Sequence, residues 1–327
     1  MKPTMLAFVW RLAKCGVLPL LLTTVLIAQQ SVAPVAEPAG EPDACLRRSI
    51  PVTFIEKAKN ASPLRPQDLQ ISVKGTPASI LSVTQDKHFP QVILLVDTSG
   101  SMGPPRGGHG WGIGLQIAGF AADAIPQDAS VAVGTFGEHL QVSEFRDRTS
   151  IIRQVPALGK QEPKHRTALY DAVRNASSLF KPPHFGDAIY LVTDGGDNYS
   201  QVELRQLEDE LITRGVRVFV FLVNTNVPFH ALTEVSQSPV DMADLARTTG
   251  GSLISLPWSK EWSTKPEAAS LAKSLREQVA APNRMELQLT TPLSRPAKLS
   301  ITPAREPKAY TIVYPRRLEP CAKSAGQ

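Results

Sequence analysis

Four short runs between residues 90 and 281 are almost wholly apolar: 91–96 (QVILLV), 130–136 (SVAVGTF), 188–193 (AIYLVT) and 216–223 (VRVFVFLV). A strand with one wet face alternates apolar and polar residues, whereas a run without alternation is buried on both faces. Both faces therefore need cover, and the sequence between the runs supplies it. In 167–180 the residues Leu169, Ala172, Val173, Ala176, Leu179 and Phe180 recur at helical spacing. In 202–214 Leu204, Leu207, Leu211 and Ile212 do the same, with Gly215 as a helix stop. A helix over 242–249, a strand over 251–256 and a helix over 266–279 continue the alternation. Strand-helix alternation implies right-handed crossovers and an α/β fold with a doubly wound, mostly parallel sheet, whose ligands gather at the carboxyl ends of its strands.

The pattern changes on either side. Residues 50–55, 69–74 and 79–84 before this segment, and 285–290, 297–302 and 309–314 after it, read as short β-strands separated by Asn, Gly and Pro turns. Neither flank has enough strands for a stable sheet. The two are expected to combine into one small β-sandwich in which the α/β domain is inserted. The expected organisation is thus 45–89 and 282–321 for the two halves of the sandwich, 90–281 for the inserted domain, and 322–327 for a tail. Residues 31–44 (SVAPVAEPAGEPDA), rich in Pro, Ala and Glu, read as a linker.

Residues 1–30 have the build of a secretory signal peptide: a basic leader with Lys2, Arg11 and Lys14, an apolar run over 16–28, then polar Gln29 and Gln30. The run is too short to span about 30 Å of hydrocarbon and Pro19 interrupts it, so no stable membrane span is expected. The protein is expected to be exported, to the periplasm, the cell surface or the medium. Removing the leader removes Cys15 and leaves Cys45 and Cys321 near the two ends. In an oxidising compartment two cysteines pair as one disulfide; two unrelated buried thiols are the alternative. Lys and Arg number 35 against 30 Asp and Glu, and no run of Lys and Arg is longer than two residues, as in Arg316-Arg317. That argues against a nucleic-acid partner, which needs a concentrated basic face.

Just past the first buried strand stands Asp97-Thr98-Ser99-Gly100-Ser101-Met102. A carboxylate and two hydroxyls at alternate positions supply part of the oxygen shell of a hard divalent cation without neutralising it. Thr167, at the start of one amphipathic helix, and Asp194, directly after the run 188–193, belong to loops expected on the same rim of the sheet. This set resembles the metal ion-dependent adhesion site of the von Willebrand factor type A domain, over residues 90–281. Asp97, Ser99 and Ser101 meet the family's Asp-x-Ser-x-Ser pattern, and Thr167 and Asp194 meet its second and third loops. The resemblance implies that Ser99 and Ser101 ligate the metal directly, Thr167 directly or through water, and Asp97 and Asp194 largely through waters. It also implies one open coordination position that an acidic side chain of a protein partner fills. The flanks, with 52–55 (VTFI), 69–75 (LQISVKG) and the Tyr310 to Tyr314 spacing, resemble those of secreted bacterial proteins carrying such a domain. The Gly- and Pro-rich loop 103–112 departs from the common version.

Plainer roles stand beside these. Thr167 serves equally as a helix N-cap, Asp97 and Asp194 as caps at strand ends, and Asp197 and Asn198 as turn formers rather than ligands. Trp111 is either a core plug or a contact residue. His88, His109, His139, His165, His184 and His230 show no paired spacing for zinc. Ser99 lacks the Gly-x-Ser-x-Gly elbow, and no phosphate-cradling Gly-x-x-x-x-Gly-Lys motif occurs, so the chain is not expected to be an enzyme. The expectation is a secreted or envelope-exposed adhesion or scaffolding protein that holds Mg²⁺ or Mn²⁺, with Ca²⁺ as a further option, and binds an acidic residue of another protein. The alternatives are a structural envelope protein whose metal only stabilises the loops and, with less support, a metal-dependent hydrolase.

Overall fold

A computed structural model describes residues 45–57, 64–85, 88–103, 110–223, 238–255, 265–280, 282–305 and 309–321. The expected signal peptide, linker and tail lie outside the described residues. The N-terminal flank supplies β1 (Arg47–Glu56), β2 (Leu69–Val73), β3 (Thr76–Pro77) and β4 (Ser79–Gln85). The central segment runs through β5 (Gln91–Asp97), α1 (Gly110–Asp123), β6 (Ser130–Phe136), β7 (Leu140–Val142), β8 (Arg146–Asp147) and α2 (Arg148–Ile152). It continues with α3 (Leu169–Ser177), β9 (Ala188–Thr193), α4 (Leu204–Arg214), β10 (Arg217–Leu222), α5 (Ser238–Thr249), β11 (Leu253–Ser255) and α6 (Pro266–Ala280). The C-terminal flank adds β12 (Asn283–Gln288), β13 (Ala297–Pro303), β14 (Tyr310–Val313) and β15 (Arg317–Leu318). Among the described residues no helix is long and apolar enough to cross a membrane.

The central strands form one sheet in the order β11-β10-β9-β5-β6-β7, with β8 also paired to β6. Strands β11, β10, β9, β5 and β6 run parallel, and only β7 and β8 are antiparallel to β6. Because successive side chains point to opposite faces, β5 divides its apolar residues between two cores. Val92, Leu94 and Val96 pack with Ile117, Ala118 and Phe120 of α1 and Leu275 of α6. Ile93 and Leu95 pack with Leu169 and Val173 of α3, Leu207 and Leu211 of α4, and Leu245 of α5. The chain passes from β5 to β6 on one side and returns to place β9 on the other, so the strand order reverses between β5 and β9. That reversal opens a crevice at the carboxyl ends of these two strands.

The flanks form two four-stranded antiparallel sheets, β14-β1-β12-β4 and β15-β13-β2-β3, each mixing strands from both ends of the chain. They share one core, in which Ile50, Val52, Ile71, Val73, Met285, Leu287, Leu299, Ile301 and Ile312 are buried. The sandwich built from both flanks is thus present. Pro51 lies inside β1 at no cost to the ladder. β14 pairs only with Thr53 to Glu56, so the side of β1 facing β14 carries no strand at Pro51. Cys45 and Cys321 are bonded, with Cα atoms 5.3 Å apart, which ties the first and last described residues of the sandwich together.

Two boundaries differ from expectation for physical reasons. The helix expected over 167–180 spans only Leu169–Ser177, because the residues before it are engaged by a neighbouring loop. The glycine-rich stretch 103–112 is not a loop to its end: α1 already begins at Gly110. Burial of Ile117, Ala118, Phe120, Ala121 and Ala122 against the sheet outweighs the weak helix propensity of its glycines. The stop at Gly215 is as expected, since it takes a left-handed conformation, φ 70°, at the C-cap of α4.

Candidate functional site

Asp97 ends β5 at the crevice and is fully buried. Its Oδ1 accepts the Ser99 N–H at 2.8 Å and its Oδ2 accepts the Thr193 hydroxyl at 2.7 Å. Burial, and after it the neighbouring Asp194 carboxylate, push Asp97 up to about 7. After Asp97 the chain turns sharply. Thr98 is pinned to the end of β6, its N–H and hydroxyl both donating to Phe136 O. A single 3₁₀ turn over Gly100–Met102 then follows, with the Met102 side chain sunk in the core. This turn sets Ser99 and Ser101 side by side, their hydroxyl oxygens 3.1 Å apart, with Ser99 buried and Ser101 exposed on the rim.

The second loop is bolted to the first through its main chain. Lys164 N–H donates to Thr98 O at 2.9 Å and Gly100 N–H donates to His165 O at 3.0 Å. Thr167 follows, 3% exposed. It does not cap α3: Ala168 occupies the N-cap position and offers no side-chain bond. Instead Asp197, from the third loop, accepts the Leu169 N–H at 2.8 Å. The third loop leaves β9 at Thr193, whose hydroxyl also accepts the Gly195 N–H at 3.0 Å, and passes through half-buried Asp194, whose Oδ1 accepts the Gly196 N–H at 3.2 Å.

Further bonds lace the third loop to the second. Asn198 Oδ1 accepts the Thr167 N–H at 3.0 Å, and Thr167 O accepts the N–H groups of both Asn198 and Tyr199. Asp171, in the first turn of α3, accepts the N–H groups of Gln201 and Val202 at 2.9 and 3.0 Å. Asp197 and Asn198 thus spend their side chains on bracing. Thr193, Asp171 and Tyr199 are the residues that sequence reasoning missed. They carry no motif, and only the pairing of loops far apart in sequence reveals them. Trp111 packs against the core from α1, half-buried, and its indole N–H finds no acceptor among the described residues.

The result is a rim on which two carboxylates and three hydroxyls come from three loops at the switch point. Among the described residues no three His, Cys, Asp or Glu side chains gather as a metal cage, and the oxygen donors on this rim are mostly hydroxyls. Such a set suits a hard cation that prefers oxygen. A buried carboxylate destabilised by burial and by a second carboxylate is also what a nearby cation relieves.

Residues 91–249 match the family model of the von Willebrand factor type A domain. No curated protein matches the chain. Solved structures similar to it include the conserved hypothetical protein BatB from Bacteroides thetaiotaomicron, at 16% identity and a TM-score of 0.43, covering 58% of this chain and 98% of that one. A protein described as von Willebrand factor type A from Catenulispora acidiphila is similar at 12% identity and a TM-score of 0.42, covering 85% of this chain and 74% of that one. The pilus adhesin SpaC from Lactobacillus rhamnosus GG is similar at 10% identity and a TM-score of 0.41, covering 80% of this chain and 48% of that one.

Proposed function

Since residues 91–249 form a von Willebrand factor type A domain, we propose that this chain is an exported, metal-dependent protein-binding protein of the adhesion or scaffolding kind. Asp97, Ser99, Ser101, Thr167 and Asp194 hold a divalent cation, Mg²⁺ or Mn²⁺, and an Asp or Glu of another protein completes the site. When bound, the cation supplies a fixed positive charge that attracts an outside carboxylate.

The chain's own residues do the rest. Asp97, both of whose oxygens already accept hydrogen bonds, supplies charge and fixes the turn that pairs buried Ser99 with exposed Ser101. Hydroxyls in place of further carboxylates leave the positive charge under-neutralised, which favours an acidic partner over an internal ligand. The burial of Thr167 and the half-buried setting of Asp194 keep water away and so strengthen that contact. The observation that carries this reading is the pairing of Ser99 and Ser101 hydroxyls at 3.1 Å over a buried acid at the switch point.

A binding role is favoured over catalysis by the same contact, since the Ser99 hydroxyl meets Ser101 and not a histidine base. Export is supported by the leader over 1–30 and by the Cys45–Cys321 disulfide, which persists in oxidising compartments.

The test starts with Mn²⁺ binding, followed by electron paramagnetic resonance, in the wild type and in Ser101→Ala. Ser101 is exposed, so this substitution removes a ligand without disturbing the core. Expected is loss of tight Mn²⁺ binding in a protein that melts as the wild type does. Capture from an envelope extract in Mg²⁺ and in EDTA follows, with Ser101→Ala as control. Wild-type Mn²⁺ affinity in Ser101→Ala would refute the site. Metal binding that raises melting temperature but captures nothing would favour a purely structural role.

A further inference from the structure

The side of the rim next to Thr167 carries an exposed basic run, Lys164-His165-Arg166. We propose that Arg166, held over the Tyr199 ring, is the second recognition element of this site, and that the partner is a protein segment with a second carboxylate beside the one at the metal. This rests on the metal-binding reading above.

The Arg166 guanidinium lies 5.1 Å from the centroid of the Tyr199 ring, close enough for a cation–π contact that fixes its plane. Both residues are exposed, Tyr199 at 41%. Among the described residues no carboxylate forms an ion pair with the Arg166 side chain. A large aromatic with an arginine over its ring in water, the guanidinium fork without an ion-pair partner among the described residues, forms the kind of pair that anchors protein interfaces.

The pair is positioned by the same bonds that position the metal ligand between them in sequence. Thr167 O accepts both the Asn198 and the Tyr199 N–H groups at 3.0 Å, so the chain on either side of this clasp brings Arg166 onto the ring. Upstream, His165 is held at φ 71°, a left-handed conformation uncommon outside glycine. Its carbonyl accepts the Gly100 N–H, so the residue is held there by the loop that bears the two serines. Arg166 is therefore fixed relative to Ser99, Ser101 and Thr167. The cleft on the far side of this run, about 530 Å³ and lined among others by Glu138, Glu162, Lys164 and His165, mixes both signs of charge and selects no anion. An arginine fork on a planar backing matches a carboxylate in a way a mobile lysine does not.

The test uses short synthetic peptides in a Gly and Ser background. Each has one fixed Asp, and a second Asp, Ser or Lys is walked through the flanking positions. Binding is measured in Mg²⁺ and in EDTA for the wild type, Arg166→Glu and Tyr199→Leu, with melting curves to confirm folding. Expected for the wild type in Mg²⁺ is a preference of roughly two- to fivefold for a second Asp over Ser at one spacing, the size of an exposed ion pair. Arg166→Glu should reverse that preference toward Lys, and Tyr199→Leu should shrink it. If single-Asp peptides bind only in Mg²⁺ but a second Asp adds nothing at any spacing, or if Arg166→Glu keeps the wild-type ranking, the inference falls and the metal reading stands. If no peptide binds better in Mg²⁺ than in EDTA, both fall.

Discussion

Thr193 gives the sharpest test of how the rim is held. Its side chain is fully buried at the end of β9 and its hydroxyl has two partners, Asp97 Oδ2 at 2.7 Å as acceptor and Gly195 N–H at 3.0 Å as donor. Thr193→Val keeps the shape and removes the oxygen. Above pH 7, where Asp97 is ionised, a buried carboxylate then loses a charge-assisted hydrogen bond, about 1.5 to 3 kcal/mol, and a buried N–H loses its acceptor, about 1 to 3 kcal/mol. The extra methyl returns something near 1 kcal/mol by apolar burial. The expected net loss is about 3 kcal/mol, or about 4 to 5 °C in melting temperature for a protein of this size. The assay is urea and thermal unfolding in EDTA of the wild type, Thr193→Val and Thr193→Ser. EDTA matters because a cation would pull on Asp97 separately. Thr193→Ser keeps the oxygen and should stay within about 1 kcal/mol of the wild type, the value of one lost methyl group. A Thr193→Val protein that is also within about 1 kcal/mol of wild type would refute the reasoning. So would a serine variant as weak as the valine one, because packing rather than the hydroxyl would then hold the loops.

Other substitutions probe the frame around the site. Asp171→Asn should cost about 1 to 2 kcal/mol, since one of the two N–H groups it accepts would face an amide NH₂. Faster hydrogen exchange at Gln201 and Val202 would locate that loss on the third loop, and unchanged exchange would refute it. Replacing Cys45 and Cys321 together by serine removes a cross-link 276 residues long. The chain-entropy value for it is about 5 kcal/mol, and a loss below about 1 kcal/mol in urea unfolding would show that the flanking strands already hold the termini together in the unfolded chain. Gly251→Ala would place a Cβ 1.9 Å from Val218 O, a backbone atom of the adjacent strand β10. Loss of about 3 kcal/mol or more, or insoluble protein, is expected, and a wild-type melting curve would contradict that close approach.

The candidate ligands were legible in the sequence because their chemistry restricts their type. A hard cation wants oxygen, so Asp97, Ser99, Ser101 and Asp194 stand out as oxygen-bearing residues just past buried strands, with Thr167 at the start of an amphipathic helix. The residues that brace them are under no such restriction. Any acceptor of the right length could take the Leu169 N–H that Asp197 takes, and Thr193 reads only as the β-branched last residue of an apolar strand. Local periodicity reaches a few residues, whereas the bond from Thr193 to Asp97 spans 96. The shortened N-terminus of α3 has the same origin: its cap comes from 28 residues downstream. The short strands β7 and β8, both antiparallel to β6, were illegible for another reason, being too short and too polar to carry a pattern.

Arg217 marks the same limit at the opposite end of the sheet. In the run VRVFVFLV it reads as a lone charge on a strand, yet it is 1% exposed at the start of β10. Burial pulls its guanidinium down to about 10. Its Nη1 donates to Gln278 O at 2.6 Å and to Thr53 Oγ1 at 3.3 Å, and its Nη2 donates to Gly186 O at 3.0 Å. These partners come from the end of α6, from β1 of the sandwich and from the turn before β9, and Thr53 itself donates to Gln278 O. The Arg217 Nε finds no acceptor among the described residues; a buried cation costs several kcal/mol where acceptors are lost, so the bonds to Thr53 and Gln278 favour keeping β1 packed against the α/β domain at that point. The two ends of one parallel sheet therefore divide the polar work. The amino ends sink a charge to fasten β1 against the domain, and the carboxyl ends gather the carboxylates and hydroxyls of three loops, buried at Asp97, Ser99 and Thr167 and open to water at Ser101.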